Sequence, residues 1–303
     1  MGKVPPKGAD EVPLHSAPGL CFSSRCTAAE DLIRLSRNNA SVFREIHLLP
    51  HRGKAKGRLS LYRKGRMPMQ LKRNALPARH ELKYFINPAE LEALRQRLRG
   101  VLRMDEHCVG GRPYAIRSLY FDDVEDSAFY DKQAGVMHRD KYRIRIYNLS
   151  DRAIFLERKR KLGDLIQKSS VQITRRLCDQ LAAGNPSGLQ KSASPLLQDV
   201  YVQMRTRLLR PKVIVDYTRE AYLHPVEDVR ITFDMALRTG LSSVDLFNQH
   251  LPTVCPHDRN VEILEVKFDN YLPGYISGLL HGVEAERSAV SKYVLCRRYE
   301  PLG

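Results

Sequence analysis

The strongest constraint on the fold of this chain is a set of short segments that alternate apolar and charged residues with a period of two. The stretch RDKYRIRIYN at 139–148 is the clearest example. Its apolar residues alternate with Lys141, Arg143 and Arg145. Because successive side chains of a β-strand point to opposite faces, this pattern predicts a strand with one apolar face and one cationic face.

The same period recurs along the chain from residue 79 onward. It predicts eight strands, at 79–86, 113–121, 139–148, 152–161, 166–175, 211–221, 228–237 and 261–268. Short connections join the third, fourth and fifth strands, which therefore form an antiparallel meander. Eight such strands are expected to close into a barrel, because closure removes exposed sheet edges. The interior of an eight-stranded barrel has room for side chains or for one ligand.

Amphipathic helices are predicted in the intervals between these strands. The stretch NPAELEALRQRLRG has Asn87 as its predicted N-cap, Pro88 at the first helical position and Gly100 just past the end. Further helices are predicted near 123–132, 175–183, 194–209, 273–281 and 284–296. The sequence therefore predicts an α+β protein whose helices need an apolar surface to cover.

The charged faces of the strands have two interpretations. In an antiparallel sheet the polar face is ordinarily exposed to solvent, and the apolar face forms the core. If the helices instead cover the apolar faces from outside, the charged faces point into the lumen of the barrel. The second interpretation is favoured, because the amphipathic helices require an apolar surface and because Lys and Arg dominate the charged faces of at least six strands.

A lumen lined by Lys and Arg requires anions, because buried like charges are costly unless they are paired. Arg suits phosphate through its bidentate geometry, and Lys supplies a point charge. A few carboxylates in the same place would hold a divalent metal that bridges phosphate oxygens. The residues therefore indicate a tunnel for an oligophosphate.

The formal net charge of +16 is concentrated near the start of the chain. Residues 1–78 hold more than half of this excess and are rich in Pro, Gly, Ser, Asn and Arg. We expect a basic, disordered extension here and a single tunnel domain at 79–303. The extension has three interpretations: a segment that binds nucleic acid or an anionic surface, a transit-like leader, or sequence upstream of a true start at Met67 or Met69.

The sequence lacks the signals that mark several classes of protein. The six cysteines are scattered without a CxxC pair and follow no secretory signal, which favours a reduced, cytoplasmic setting. No apolar run approaches the about 18–20 residues that a membrane helix needs. None of the ten histidines is assigned to a metal, and neither a P-loop nor a Ser/His/Asp constellation is present. A soluble protein that works through its charged strands is expected.

Eight motifs, taken in order, point to a known family. They are RHELKYFI, IRSLYFDD, KYRIRIY, LERKRK with QKSS, VDYTREAY, VRITFD, LEVKFD and SKY. Together they resemble the VTC domain, the polyphosphate polymerase domain of the vacuolar transporter chaperone family and its bacterial relatives. This domain is one of the triphosphate tunnel metalloenzymes, also called the CYTH group. Over about 79–299 the resemblance implies an eight-stranded antiparallel tunnel that binds a nucleoside triphosphate and a growing polyphosphate chain with Mn²⁺ or Mg²⁺.

The resemblance assigns roles residue by residue. The side chains expected to clamp the reacting phosphates are Arg143, Arg145, Lys159 and Arg230. Further phosphate contacts are expected from Lys83, Lys168, Arg219, Lys267, Ser291 and Lys292. The expected metal ligands are Glu265, Glu81 and Glu157. Tyr217 is expected to position the chain, whereas Tyr120 and Asp122 are interpreted as structural, with Asp122 capping the next helix.

The first strand departs from the pattern of the wider group. Many tunnel enzymes begin with ExExK, and the equivalent positions here are Arg79, Glu81 and Lys83. A cation in place of the first carboxylate suits the polyphosphate-polymerase branch better than the thiamine-triphosphatase or adenylate-cyclase branch. Two roles stay open for Glu81, which are metal ligand and partner that orients Lys83 or Arg79.

The predicted function is that of a metal-dependent phosphotransferase that moves the γ-phosphate of ATP onto a polyphosphate chain. The expected partners are ATP and inorganic polyphosphate or triphosphate, with no specific nucleic acid, and coupling to transport across a membrane would need a partner protein. Two alternatives use the same lumen. One is a hydrolase of tripolyphosphate or nucleoside triphosphates, and the other is a non-catalytic module that binds polyphosphate or another polyanion. Glu265 argues against the module, since a plain polyanion binder needs no carboxylate in its tunnel.

Overall fold

The computed structural model describes residues 78–224, 228–257, 260–281 and 288–298. The predicted N-terminal extension at 1–78 lies outside the described residues, apart from Ala78. The beginning of the last predicted helix, at 284–287, also lies outside them. The predicted tunnel domain is therefore the part of the chain for which a fold is described.

Nine strands of the described chain form one antiparallel sheet. Their bounds are Ala78–Ile86 (β1), Arg103–Met104 (β2), Tyr114–Asp122 (β3), His138–Tyr147 (β4), Ser150–Leu162 (β5), Leu165–Ile173 (β6), Arg210–Leu223 (β7), Arg230–Thr239 (β8) and Glu262–Phe268 (β9). Eight of them follow the order β7-β3-β4-β5-β6-β1-β9-β8, and β8 pairs with β7 again. The sheet therefore closes, and the predicted eight-stranded antiparallel barrel is confirmed.

The additional strand, β2, lies outside the barrel and was not predicted. Its two residues, Arg103 and Met104, pair with Leu223 and Tyr222 at the end of β7. A segment of two residues cannot display a period of two, so the sequence offers no signal for it. The strand directs the chain from the end of α1 back to the rim of the barrel.

Six α-helices occur among the described residues. Their bounds are Pro88–Arg99 (α1), Ser127–Gln133 (α2), Arg175–Ala182 (α3), Pro195–Thr206 (α4), Gly274–Leu280 (α5) and Lys292–Arg297 (α6). Each coincides with a predicted helix, although α2 and the described part of the last helix are shorter than predicted. Within the same residues, no helix combines the length and the apolar character that crossing a bilayer requires.

The apolar faces of the barrel strands point outward, and helices cover them. Ile144 and Ile146 of β4 are fully buried in a cluster with Leu181 of α3 and Val200 of α4. Each buried aliphatic side chain of this kind stabilises the fold by about 1.5–3 kcal/mol. Because neighbouring side chains on a strand point to opposite faces, the charged residues between them point into the barrel. The interpretation that places the charged faces in the lumen is therefore confirmed.

Helix α1 covers a second part of the barrel, and its start follows the predicted capping pattern. The Asn87 side chain accepts a hydrogen bond from the Glu90 backbone N–H at 2.9 Å, and the Glu90 carboxylate accepts one from the Asn87 N–H at 2.8 Å. This reciprocal pair is a capping box. It fixes the entry of the helix, so that Leu94 and Leu98 reach the cluster that contains Phe233 of β8.

Replacing the cap gives the first testable prediction. The Asn87→Ala variant is expected to lower the free energy of unfolding by about 1 kcal/mol, because a backbone donor of the first turn loses its acceptor. Urea denaturation measures this as a lower midpoint at an unchanged slope. Asn87→Ser is the matched control and should retain most of the stability. Equal midpoints for wild type and Asn87→Ala would contradict the role of the cap.

Candidate active site

A cavity of about 600 Å³ occupies the lumen of the barrel. All eight barrel strands contribute side chains to its wall, together with α2 and the segment 288–293. Fourteen Lys or Arg side chains line the cavity, against four carboxylates. The lumen is therefore strongly cationic, as the alternating strands predicted.

Every residue that the sequence predicted for the site lines this cavity. The predicted phosphate-binding residues and metal ligands found there are Lys83, Arg143, Arg145, Lys159, Lys168, Arg219, Arg230, Lys267, Ser291, Lys292, Glu81, Glu157 and Glu265. Residues far apart in the sequence thus meet because the barrel closes. Their roles toward phosphate and metal stay predictions.

Glu157 of β5 is the centre of a first cluster of ion pairs. Its carboxylate accepts a hydrogen bond from Arg143 Nε at 2.8 Å and lies 2.7 Å from Arg143 Nη2 in an ion pair, and it also pairs with Lys168. Burial would raise the pKa of Glu157, but the neighbouring cations, Arg143 first, hold that pKa below its usual range. Glu157 is therefore ionised, and it fixes the guanidinium fork of Arg143.

Two tyrosines orient the paired arginines of β4. Arg143 donates to the Tyr120 hydroxyl at 2.7 Å, and Arg145 donates to the Tyr217 hydroxyl at 3.0 Å. Both guanidinium groups are therefore held in place by the protein alone, which is the preorganisation that a binding site requires. Tyr120, interpreted from sequence as structural, lies in the cavity wall. Its contact with Arg143 is a site feature that the sequence analysis missed.

Glu265 of β9 is the centre of a second cluster. Its carboxylate lies 2.7 Å from Lys292 Nζ, 2.8 Å from Lys267 Nζ and 3.2 Å from Lys83 Nζ. Burial would raise the pKa of Glu265, but the surrounding cations, Lys267 first, hold it well below its usual range. The carboxylate is therefore ionised, and three ammonium groups converge on it.

The register of β1 against β9 explains this convergence. Lys83 lies opposite Glu265, and Glu81 lies opposite Lys267. Opposite charges at directly facing positions stabilise an antiparallel pair. Glu81 also accepts a hydrogen bond at 2.6 Å from Nζ of Lys159, which lies on β5, two strands away in the sheet. The partner role that the sequence left open for Glu81 is thus realised with Lys83, whose Nζ lies 3.6 Å away, and with Lys159.

Asp234 of β8 supports the second cluster from behind. It accepts from Arg219 through Nε at 2.5 Å and Nη2 at 2.7 Å, and Lys292 Nζ lies 2.5 Å from the same carboxylate. Its side chain is completely buried and is not part of the cavity wall. Asp234 therefore acts as an anchor that fixes two lumen cations.

The start of α6 is tied to the end of β3 by Asp122. The Tyr293 hydroxyl donates to Asp122 at 2.5 Å, and the backbone N–H groups of Ala128 and Phe129 donate to the same carboxylate at 2.9 Å and 3.1 Å. The predicted capping role of Asp122 is confirmed. Its further bond to Tyr293 holds the segment that carries Lys292 against the barrel.

Asp105 is a site residue that the sequence analysis did not find. It is buried just after β2, and its carboxylate lies 2.9 Å from Nη2 of Arg230. The other carboxylate oxygen contacts His107 Nδ1 at 2.6 Å. Nothing in the local sequence marks Asp105, because its partner lies on a strand more than a hundred residues away.

Five further cations in the cavity wall carry no phosphate-binding role from the family resemblance. One is Arg79, and the other four are Lys132, Arg139, Lys141 and Lys161. Lys141 belongs to the charged face of β4 that the alternation predicted. Lys132 lies on α2, where the strand period gives no information.

The three predicted metal ligands do not form one group. Among the described residues, no three or more His, Cys, Asp or Glu side chains are grouped so that they could hold a metal ion. Glu157 belongs to the first cluster, where Arg143 and Lys168 pair with it, and its role as a metal ligand stays a prediction. Glu81 and Glu265 contact the same ammonium groups. A divalent cation that takes one or two carboxylates and completes its shell with substrate oxygens and water fits this pair.

Comparisons with known proteins identify a family for this chain. The sequence model of the VTC domain matches residues 78–299. A solved protein from Vibrio parahaemolyticus, provisionally described as an adenylate cyclase, is 10% identical, with 71% of this chain and 97% of that chain covered and a TM-score of 0.38. A similarly described protein from Bacillus halodurans is 10% identical, with coverages of 67% and 87% and a TM-score of 0.36.

A solved protein from Pyrococcus horikoshii OT3 is 14% identical, with 69% of this chain and 94% of that chain covered and a TM-score of 0.34. No curated protein matches this sequence. The family match therefore comes from the domain model, whose matched residues include every strand of the described barrel.

Proposed function

Because this chain belongs to the VTC domain family, we propose that it is a metal-dependent phosphotransferase that moves the γ-phosphate of ATP onto a polyphosphate chain. The observation that carries the proposal is the closed lumen, in which fourteen cations face four carboxylates. Such an excess of positive charge in a confined space is suited to a ligand with several consecutive negative charges. A triphosphate and a polyphosphate are ligands of that kind.

The residues of the first cluster would clamp the reacting phosphates. Arg143 and Arg145 present bidentate donors that are already oriented by Glu157, Tyr120 and Tyr217. Phosphoryl transfer needs little covalent help from the protein and depends on positioning and on stabilisation of negative charge. Exclusion of water from the lumen in the substrate complex would favour transfer to a phosphate acceptor over hydrolysis.

The second cluster would hold the divalent cation that the proposal requires. Glu265 and Glu81 would hold Mg²⁺ or Mn²⁺ in place of some of their present ammonium partners. When bound, the metal would neutralise the negative charge that develops on the phosphate oxygens. The ammonium groups of Lys83, Lys267 and Lys292 each lie within 3.2 Å of Glu265. If a metal took their place at this carboxylate, they would turn toward the substrate phosphates.

The acceptor needs no strong general base in this scheme. A phosphate or polyphosphate end is already negative, so the protein has to place it in line with the γ-phosphate rather than remove a proton from it. This agrees with a lumen that offers cations and tyrosines, and with the lack of a Ser/His/Asp constellation in the sequence. A water molecule in the acceptor position would give a triphosphatase with the same residues.

Asp105 gives a prediction about positioning. The Asp105→Asn variant is expected to lower kcat/KM for ATP by about tenfold to a hundredfold, because Arg230 loses the charged partner that orients it. Steady-state kinetics should place most of the loss in kcat if Arg230 acts mainly on the transition state. Asp245→Asn, an exposed change of the same kind, is the control. Unchanged kinetics in Asp105→Asn would exclude the positioning role.

Product analysis of the purified protein tests the proposed function. Phosphorus NMR of a reaction with ATP and Mn²⁺ or Mg²⁺ is expected to reveal growing internal phosphate signals together with ADP. Free phosphate without internal signals would assign the lumen to a hydrolase. No consumption of ATP, with tripolyphosphate still bound in a salt-sensitive manner, would leave a binding module and overturn the enzymatic proposal.

A further inference from the structure

The hydroxyl of Thr232 has no hydrogen-bond partner in the described part of the chain, although its side chain is completely buried. Buried polar groups are ordinarily bonded, because a desolvated group without a partner costs free energy. A valine at this position would have nearly the same shape and would avoid that cost. The unbonded hydroxyl therefore indicates a contact that forms in another state of the protein.

The strand period places this hydroxyl on the lumen side of β8. Its neighbours along the strand, Ile231 and Phe233, belong to the outer cluster that α1 covers. Because side chains alternate, Thr232 points to the opposite side, together with Arg230, which lines the cavity. Thr232 itself does not belong to the cavity wall. The hydroxyl thus lies behind the wall, where bulk solvent does not reach it.

The register identifies the side chains that face Thr232. The residue lies directly opposite Glu265 on β9 and opposite Ala221 on β7. Directly facing residues of an antiparallel pair have Cβ atoms about 4.5–5.5 Å apart. The methyl group of Ala221 forms no hydrogen bond, whereas the carboxylate of Glu265 accepts them. Glu265 is therefore the acceptor that the register offers to the hydroxyl.

Cations occupy both oxygens of Glu265 in this structure. Oε1 lies 2.7 Å from Lys292 Nζ and 3.2 Å from Lys83 Nζ, and Oε2 lies 2.8 Å from Lys267 Nζ and 3.5 Å from Arg219 Nη2. Hydrogen bonds from charged donors are stronger than those from a neutral hydroxyl. The carboxylate is therefore engaged by the cations, and the hydroxyl opposite it is left unbonded.

This arrangement would change if Glu265 took a divalent cation. Ammonium groups would leave the carboxylate, and lone pairs that they now occupy would be open to the hydroxyl. Ligating carboxylates are themselves held by hydrogen bonds from neighbouring groups, which fix their orientation. Asp234, the next carboxylate along β8 from Thr232, is already held by Arg219 and Lys292. Glu265 is therefore the carboxylate that would need the hydroxyl as a donor.

We infer that Thr232 is a positioning residue, whose hydroxyl donates to Glu265 when this carboxylate holds the divalent cation. The inference rests on the proposed function, since it concerns a metal ligand of the same site. It gives a role to a side chain to which neither the motifs nor the family resemblance assigns one. The expected effect is on the contribution of the metal to binding, not on the cations that contact phosphate.

The test measures how much Mn²⁺ tightens the binding of a non-hydrolysable ATP analogue, in calorimetric titrations with Mn²⁺ and with EDTA. The ratio of the two affinities reports the contribution of the metal without any turnover. In Thr232→Val this ratio is expected to fall by about tenfold or more, because a ligating carboxylate loses its hydrogen-bond donor. The affinity with EDTA should stay that of wild type. Thr232→Ser should restore the ratio, since the hydroxyl returns.

Thermal unfolding without metal separates this role from a structural one. Thr232→Val should unfold at the temperature of wild type or above it, because valine removes an unbonded hydroxyl and keeps the shape. The control is Thr218→Val on β7, which removes a hydroxyl that donates to the Met235 carbonyl at 3.4 Å. This control should lower the unfolding temperature slightly and leave the affinity ratio unchanged.

Two results would overturn the inference and leave the proposed function standing. One is a wild-type affinity ratio in Thr232→Val, or in Thr232→Ala as a second variant without the hydroxyl, while Glu265→Gln abolishes the ratio. The other is a metal-free Thr232→Val that unfolds well below wild type, because the hydroxyl would then be bonded already, as through a buried water.

The behaviour of wild type bears on the proposed function as well. Equal affinities with Mn²⁺ and with EDTA would overturn the inference and remove the metal from the proposed function, whose transfer step product analysis tests independently. Failure of wild type to bind the analogue under either condition would remove both the inference and the proposed function.

Discussion

The Arg143→Ala/Arg145→Ala variant is expected to lose triphosphate binding and ATP turnover together. Each arginine would contribute charge-assisted hydrogen bonds worth about 1.5–3 kcal/mol, so removal of both costs about 3–6 kcal/mol. This corresponds to a loss of about a hundredfold to ten-thousandfold in affinity. Titration with tripolyphosphate and single-turnover kinetics with ATP measure the two effects separately.

The fold of this variant needs its own control, because Glu157 loses two of its cations. A buried carboxylate without partners destabilises a protein. The Arg143→Lys/Arg145→Lys variant keeps both charges and loses only the bidentate geometry, so it should fold normally and bind with intermediate affinity. Arg152→Ala/Arg176→Ala removes two exposed arginines and should behave as wild type. Wild-type triphosphate affinity in the alanine variant at moderate salt would contradict the clamp.

The Glu265→Gln variant is expected to separate turnover from binding. If Glu265 holds the divalent cation, metal-dependent turnover should fall by about a hundredfold or more, since the charge stabilisation supplied through the metal is worth several kcal/mol. Binding of tripolyphosphate without metal should remain or become tighter, because an anionic side chain has been removed from a cationic lumen. The two effects have opposite directions, which a general loss of structure cannot produce.

The matched control is Glu125→Gln, which makes the same chemical change at an exposed position outside the cavity. Parallel loss of metal-free binding and turnover in Glu265→Gln would assign the residue to structure, as the anchor of Lys83, Lys267 and Lys292. Full turnover in the variant would remove Glu265 from the set of metal ligands.

The barrel itself was predictable from local patterns. The period of two in β4 and β9 distinguishes two faces, and the amphipathic α1 requires that the apolar face point outward. The two-residue β2 was not predictable, because it has no period and exists only through its pairing with the end of β7. Local pattern therefore specifies the strands that form the lumen, and tertiary pairing specifies the rest.

The site was predictable as a set of side chains but not as a set of pairs. The alternation and the motifs place Glu157 and Glu265 in one lumen, yet only the register of the strands decides that Arg143 pairs with the first and Lys83 with the second. For the same reason, Asp105 carries no local signal for its contact with Arg230. Which buried side chains lack a partner among the described residues follows from the register as well, so it could be recognised only in three dimensions.

The most direct measurement of the central claim follows a labelled phosphoryl group. The protein is incubated with a short polyphosphate, Mn²⁺ or Mg²⁺, and ATP labelled at the γ-phosphate, beside a second sample labelled at the α-phosphate. Phosphotransfer in the tunnel predicts that the γ-label enters the polyphosphate fraction in step with the release of ADP, while the α-label stays in the nucleotide. Recovery of the γ-label as free phosphate, or its retention in ATP, would contradict the account.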